Sequence, residues 1–84
     1  MIFKLVYTNR AVKDIAKLDI VAKRRLKVSL EKLASSPLKH SKKLIDPRIG
    51  EYRYRIGDFR VIFDLTDDNK IVILRIGHRR EIYR

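Results

Sequence analysis

The stretch Tyr52-Arg53-Tyr54-Arg55-Ile56-Gly57-Asp58-Phe59-Arg60-Val61-Ile62-Phe63 decides the fold. Side chains of a strand alternate between its two faces. Tyr52, Tyr54 and Ile56 therefore point one way, and Arg53 and Arg55 the other. Gly57-Asp58 suits a two-residue hairpin turn with glycine at its first central position. On the return strand Phe59, Val61 and Phe63 share a face, opposite Arg60 and Ile62. A third strand, Ile71 to Arg79, follows the turn Thr66-Asp67-Asp68-Asn69. Simple alternation puts Arg75, Gly77 and Arg79 on the face of Ile71 and Ile73. One register then gathers Arg53, Arg55, Arg60, Arg75 and Arg79 on a single surface. Cations fixed on a rigid platform call for an anionic partner, and the guanidinium fork matches phosphate best.

Upstream, Met1 to Tyr7 reads as a strand, with Ile2, Leu5, Val6 and Tyr7 rich in strand formers. Thr8 or Asn9 caps a first helix in which Ala11, Val12, Ile15, Ala16 and Leu18 recur at helical spacing. Asp19 caps a second helix that buries Ala22, Leu26, Leu30 and Leu33 and stops at Ser35-Ser36-Pro37. So short a connection makes the pair an antiparallel αα-hairpin. Leu38 to Gly50 reads as a loop, with two prolines bracketing the basic run Lys39-His40-Ser41-Lys42-Lys43. The order is β-α-α-β-β-β. This is an α+β domain with a small, mainly antiparallel sheet, its helices on one face and the arginine face open.

Eighty-four residues make one domain, spanning 1–84. The absence of cysteine excludes a disulfide framework, a thiolate zinc site and a cysteine nucleophile. Two histidines far apart in sequence make no metal site. No apolar run approaches the ~20 residues needed to cross a bilayer. Met1-Ile2-Phe3-Lys4 lacks the regions of a signal peptide, so a cytoplasmic protein is expected.

The formal charge of +11 attracts nucleic acid, ribosomes or acidic proteins. Up to Pro47 the cations are mostly lysine; beyond it Lys70 is the lone lysine among arginines. Lysine is the usual solvated decoration of a helix, whereas arginine forks onto phosphates and stacks on bases. The two halves are expected to use their charge differently.

Phosphate binding is not yet chemistry. Cleaving RNA through its 2′-hydroxyl requires removal of that proton, stabilisation of the phosphorane and protonation of the leaving 5′-oxygen. Arginine serves the second need and is a poor base at neutral pH. His78, Tyr83, Lys42 and Lys43 are the titratable candidates nearby. His78 falls on the face opposite Arg79 unless the strand bulges at Gly77. His40 sits in the basic loop. Tyr83 either packs an edge or presents a ring for base stacking.

The run Tyr52 to Phe63, followed by Ile76-Gly77-His78-Arg79-Arg80-Glu81-Ile82-Tyr83, resembles the RelE/ParE superfamily of type II toxins. The element order and the length agree, so the resemblance spans essentially the whole chain. It implies a RelE-like fold and a toxin held in check by an antitoxin that wraps it. On the RelE branch it implies a ribosome-dependent endoribonuclease of messenger RNA that uses no metal or other cofactor. The alternative is the ParE branch, which shares the fold and poisons DNA gyrase.

The resemblance also implies a site. Arg53 and Arg55 match positions that are lysine in RelE nucleases and contact the attacking nucleotide. Arg60 matches an arginine that stabilises the transition-state phosphate, Arg79 one implicated in protonating the leaving group, and Tyr83 a tyrosine that stacks on the substrate. Exchange of lysine for arginine keeps the charge but removes a group able to shift its pKa and accept a proton, a role His78 could then take. Lys42, Lys43, Arg75 and Arg80 are expected to hold RNA or the ribosome. With no helix beyond Tyr83, inhibition is expected to cover the sheet or the site directly. The antitoxin should be acidic and partly disordered until bound, the ribosome and message are the other partners, and no membrane is involved.

Overall fold

The computed structural model describes residues 3–37, 41–43 and 52–78. His40, Arg79, Arg80 and Tyr83 lie outside the described residues. The elements are β1 (Lys4–Tyr7), α1 (Asn9–Ala16), α2 (Ile20–Ser35), β2 (Ser41–Lys43), β3 (Tyr52–Ile56), β4 (Phe59–Leu65) and β5 (Lys70–His78). They build one sheet in the order β1-β5-β4-β3-β2. β1 runs parallel to β5, and the other three pairings are antiparallel.

Both helices start where the sequence provides a cap. The Thr8 hydroxyl accepts from the Ala11 N–H, and the Asp19 carboxylate accepts from the Ala22 N–H. Leu26, Leu30, Leu33 and Ala34 recur down one side of α2 and bury there. With Ala11 of α1 they form one core with Ile56, Val61, Phe63, Ile71, Ile73 and Ile76 of the sheet. The helix pair thus covers the predicted face. Tyr52 belongs to it too, its ring stacked on Phe63 at 5.5 Å between centroids. Val12 and Ala16, although at helical spacing, face outward.

Both hairpin turns follow from local chemistry. Gly57 has φ +58°, and Asn69 alone among the described non-glycine residues has a positive φ. A positive φ at the first central residue only, filled by glycine, matches the II′ turn that suits twisted strands. At the second turn, Asn69 takes φ 59°, a conformation asparagine tolerates. Thr66 ties that turn by accepting from the Lys70 N–H and donating to Asp68. Hydrogen bonding from Thr66, helped by Lys70, holds the Asp68 carboxyl below its ordinary pKa.

Three expectations need correction. First, Ser41–Lys43 is a strand within the stretch read as loop, pairing antiparallel with β3 at the sheet edge. Ser-Lys-Lys carries no strand propensity of its own, and lysine is a residue that guards an exposed edge.

Second, β5 does not alternate uniformly. Ile62 pairs with Arg75 and Phe63 with Ile73, leaving Leu74 as an extra residue in a bulge. The bulge reverses the phase. Ile71 and Ile73 join the core, whereas Arg75 and Gly77 turn to the opposite face.

Third, the arginine face is not fully open. Ile62 lies on it completely buried, and Arg60 is only 7% exposed.

Phe63 fills the centre of the core and is fully buried. Phe63→Ala should cost about 3–5 kcal/mol, a large part of the stability of so small a domain. Val28→Ala, on the exposed side of α2, should stay within about 0.5 kcal/mol. Urea unfolding followed by circular dichroism compares the two.

Candidate nucleic-acid interface

Directly paired residues of neighbouring strands share a face. The register therefore lays two rows across the side turned away from the helices. One row is Arg53–Ile62–Arg75 and the next is Arg55–Arg60–Gly77. Strand parity assigns four of the five predicted arginines to one side of the sheet, although the Arg75 guanidinium reaches round to Asp14 of α1, and the fifth, Arg79, lies outside the described residues. Asp64 follows along β4 with the same parity, one step beyond the first row.

The second row sets two cations opposite one another. Like charges directly paired across strands are destabilising. What holds them is the hairpin turn. The Gly57 carbonyl accepts from Arg55 Nε at 3.4 Å and from Arg60 Nη1 at 3.3 Å. Arg60 Nη1 also donates to the Phe59 carbonyl at 3.1 Å. Arg60 is thereby a buried cation aimed by backbone oxygens, while Arg53 and Arg55 remain exposed. Burial matters because a partly desolvated charge is less screened by water and salt. The result is a positive centre held in place at Arg60 and flanked by exposed cations.

A third guanidinium stands near the same turn. A Cβ added to Gly57 would lie 3.1 Å from Arg25 Nη2 of α2. Arg25 thus approaches the turn that carries Arg55 and Arg60. Nothing in the spacing of α2 distinguishes it from Lys23, Arg24 or Lys27, so sequence reasoning passed over it.

Arg75 is held differently. Its Nε lies 3.5 Å from Asp14 Oδ2 of α1, and Arg75 is 30% exposed against 7% for Asp14. The same Oδ2 accepts from the Ile76 N–H at 3.0 Å. Arg10 Nε lies 3.8 Å from Asp14 Oδ1. Asp14 was also missed, since its partners on β5 are 61 and 62 residues away. A guanidinium has five N–H donors, so one contact does not exhaust Arg75.

His78 pairs with Phe59, and their rings meet edge to face at 6.3 Å. The bulge falls at Leu74 and not at Gly77, so His78 lies on the helix side, away from Arg53, Arg55 and Arg60. There it lines a cleft with Asp14, Lys17, Asp19 and Arg75. In the β2–β3 register, Lys42 stands opposite Arg53 and Lys43 opposite Tyr52. Arg80 and Tyr83 lie outside the described residues.

This face can neutralise and orient a phosphodiester. Its arginines donate hydrogen bonds and carry charge but do not accept protons near neutral pH. Asp64, which has an interaction of its own, is the carboxylate that strand parity puts on this face among the described residues.

The chain matches a family model described as "ParE toxin of type II toxin-antitoxin system, parDE" over residues 5–83. It is 29% identical over 86 residues to toxin RelG of Mycobacterium tuberculosis, covering 100% of this chain and 99% of that protein. It is 33% identical over 84 residues to a putative toxin RelE1 of Methanocaldococcus jannaschii, covering 96% of this chain and 93% of the other. Among solved structures, the RelBE2 toxin–antitoxin complex of M. tuberculosis superposes with a TM-score of 0.83 at 26% identity, covering 94% of this chain and 100% of the matched one. The archaeal RelE–RelB complex of Pyrococcus horikoshii gives 0.76 at 26% identity, with 96% and 99% covered.

At Gly57 the positive φ penalises any side chain, whereas Arg25 can swing aside. Gly57→Ala should therefore destabilise by about 1–2 kcal/mol, read as a lowered thermal midpoint. An unchanged midpoint would contradict the turn geometry.

Proposed function

The chain belongs to the ParE toxin family of type II toxin–antitoxin systems, within the RelE/ParE superfamily, and from that premise we propose that it is an endoribonuclease of RelE type that cleaves messenger RNA on the ribosome. The observation that carries this reading is the Arg55–Arg60 pair, in which a buried guanidinium aimed by backbone carbonyls faces an exposed one. Such a fixed, poorly screened cation suits the charge that develops on a phosphorane. Relatives named RelG and RelE1 support the same branch.

In the proposed reaction the 2′-oxygen attacks the adjacent phosphorus and the bond to the 5′-oxygen breaks. The products are a 2′,3′-cyclic phosphate and a 5′-hydroxyl end. Arg53 and Arg55 position and neutralise the phosphate, and Arg60 stabilises the phosphorane. Arg79 serves the leaving oxygen and Tyr83 stacks on a base, roles that follow from the family resemblance. The attacking hydroxyl still needs a base. Arginine does not supply one at neutral pH, and His78 stands on the other face. The ribosome is the source that completes the geometry, consistent with a nuclease that depends on it.

The partner that restrains this chemistry is an acidic antitoxin. The charge of +11 favours one electrostatically. On the helix side of the sheet lies a cleft lined by Leu18, Val21, Leu26, Ile56 and Phe59 with Asp19 and Arg25, and Val21 in it is more than half exposed. Exposed apolar surface of this kind marks a protein contact.

A second reading has its own support, since the matching family model describes a ParE toxin. A toxin of that kind would inhibit DNA gyrase without cleaving RNA.

Mapping fragment ends in a translation extract separates the two. The nuclease reading requires cyclic-phosphate 3′ ends on messages engaged by ribosomes, and Arg60→Ala should reduce kcat about 10²–10³-fold. Arg60→Lys should recover little, because lysine lacks the fork that the two carbonyls aim. Intact messages together with inhibited supercoiling by purified gyrase would overturn it in favour of the second reading.

A further inference from the structure

We propose that Asp14 is a positioning residue for the arginine face, acting from α1 to lock β5 in its bulged phase. The proposal rests on the reading of that face as the RNA site.

The stretch from Leu74 to Ile76 has β4 on one side and no strand on the other among the described residues, because β1 pairs only with Lys70 through Ile73. α1 takes over at that point. The Thr8 N–H donates to the Ile73 carbonyl at 3.1 Å. The Thr8 hydroxyl donates to the Ile73 and Leu74 carbonyls at 2.9 and 3.1 Å. Asp14, near the other end of the helix, accepts from the Ile76 N–H. An eight-residue helix thus grips β5 on both sides of Leu74.

The grip is specific to one phase. A one-residue slip in strand pairing turns every side chain to the other face. Ile71-Val72-Ile73-Leu74 is apolar throughout and does not choose between phases by itself. Without the bulge, Arg75 would turn toward the core and Ile76 would turn away from it. Asp14 discriminates between these arrangements because its Oδ2 meets two consecutive residues at once, the backbone N–H of Ile76 and the side chain of Arg75. The backbone contact forms only when the Ile76 N–H points away from β4, as it does in the bulged register with Ile76 in the core, where it is 2% exposed. The same phase sets Gly77 beside Arg60, leaving that end of the row without a side chain.

The test compares Asp14→Ala with Asp14→Asn in the full chain. Alanine removes both contacts, whereas asparagine keeps an acceptor for the Ile76 N–H and removes the charge facing Arg75 and Arg10. Two readouts are taken below the unfolding temperature. One is the cross-strand nuclear Overhauser contact between Ile62 and Arg75, with exchange protection of the Ile76 amide. The other is kcat and KM for cleavage of message on programmed ribosomes. The alanine variant should lose the Ile62–Arg75 contact and the protection, and kcat should fall about a hundredfold with KM changed little. Asparagine should keep the contact and restore kcat to within about tenfold of the original.

A folded alanine variant with the contact intact and kcat unchanged overturns the proposal. If alanine prevents folding, asparagine decides: an asparagine variant that folds but loses the contact, or keeps it and does not cleave, overturns it as well. If the unaltered protein does not cleave RNA, the nuclease reading fails on its own. The magnetic-resonance arm then still decides whether Asp14 sets the phase.

Discussion

Two arginines opposite one another across a strand pair are the constraint around which this molecule is arranged. Arg55 and Arg60 occupy paired positions, an arrangement that costs stability in an ordinary sheet. It is tolerated because the turn joining their strands presents the Gly57 carbonyl to both. The turn in turn needs glycine at a positive φ. The cation pair, the carbonyl and the glycine form one unit that presents two guanidinium groups on the same face.

The rest of the fold keeps that unit in place. The helices bury Phe63, Ile71, Ile73 and Ile76 on one side, which commits Arg53, Arg55, Arg60 and Arg75 to the other. The Leu74 bulge then reconciles two demands on β5, an apolar start that belongs to the core and a basic continuation that belongs to the site. Asp14 joins helix and strand at the point of reversal. Family membership identifies the chain as a toxin of a type II toxin–antitoxin system. Its arginine surface can neutralise phosphate but provides no evident base among those arginines.

The hairpin was legible in the sequence because period-two alternation and a Gly-Asp turn are local signals. So were both helix caps and the apolar side of α2. The bulge was not, since four successive apolar residues carry no phase information and simple alternation misplaces Ile71 and Ile73. β2 escaped because Ser-Lys-Lys becomes a strand only through the edge that β3 offers. Asp14 and Arg25 escaped for a related reason. Each reads as an ordinary exposed helix position until the sheet is folded against it. The burial of Arg60 was likewise unreadable, because parity assigns a face and not a depth.

The central claim is that Arg55 and Arg60, paired across the hairpin, together bind a phosphate. Thermal unfolding of the protein and of Arg55→Gln, at low salt with and without added inorganic phosphate, tests it most directly. Added phosphate should raise the melting temperature of the original protein and raise that of the glutamine variant less. An undiminished response to phosphate in the glutamine variant would contradict it.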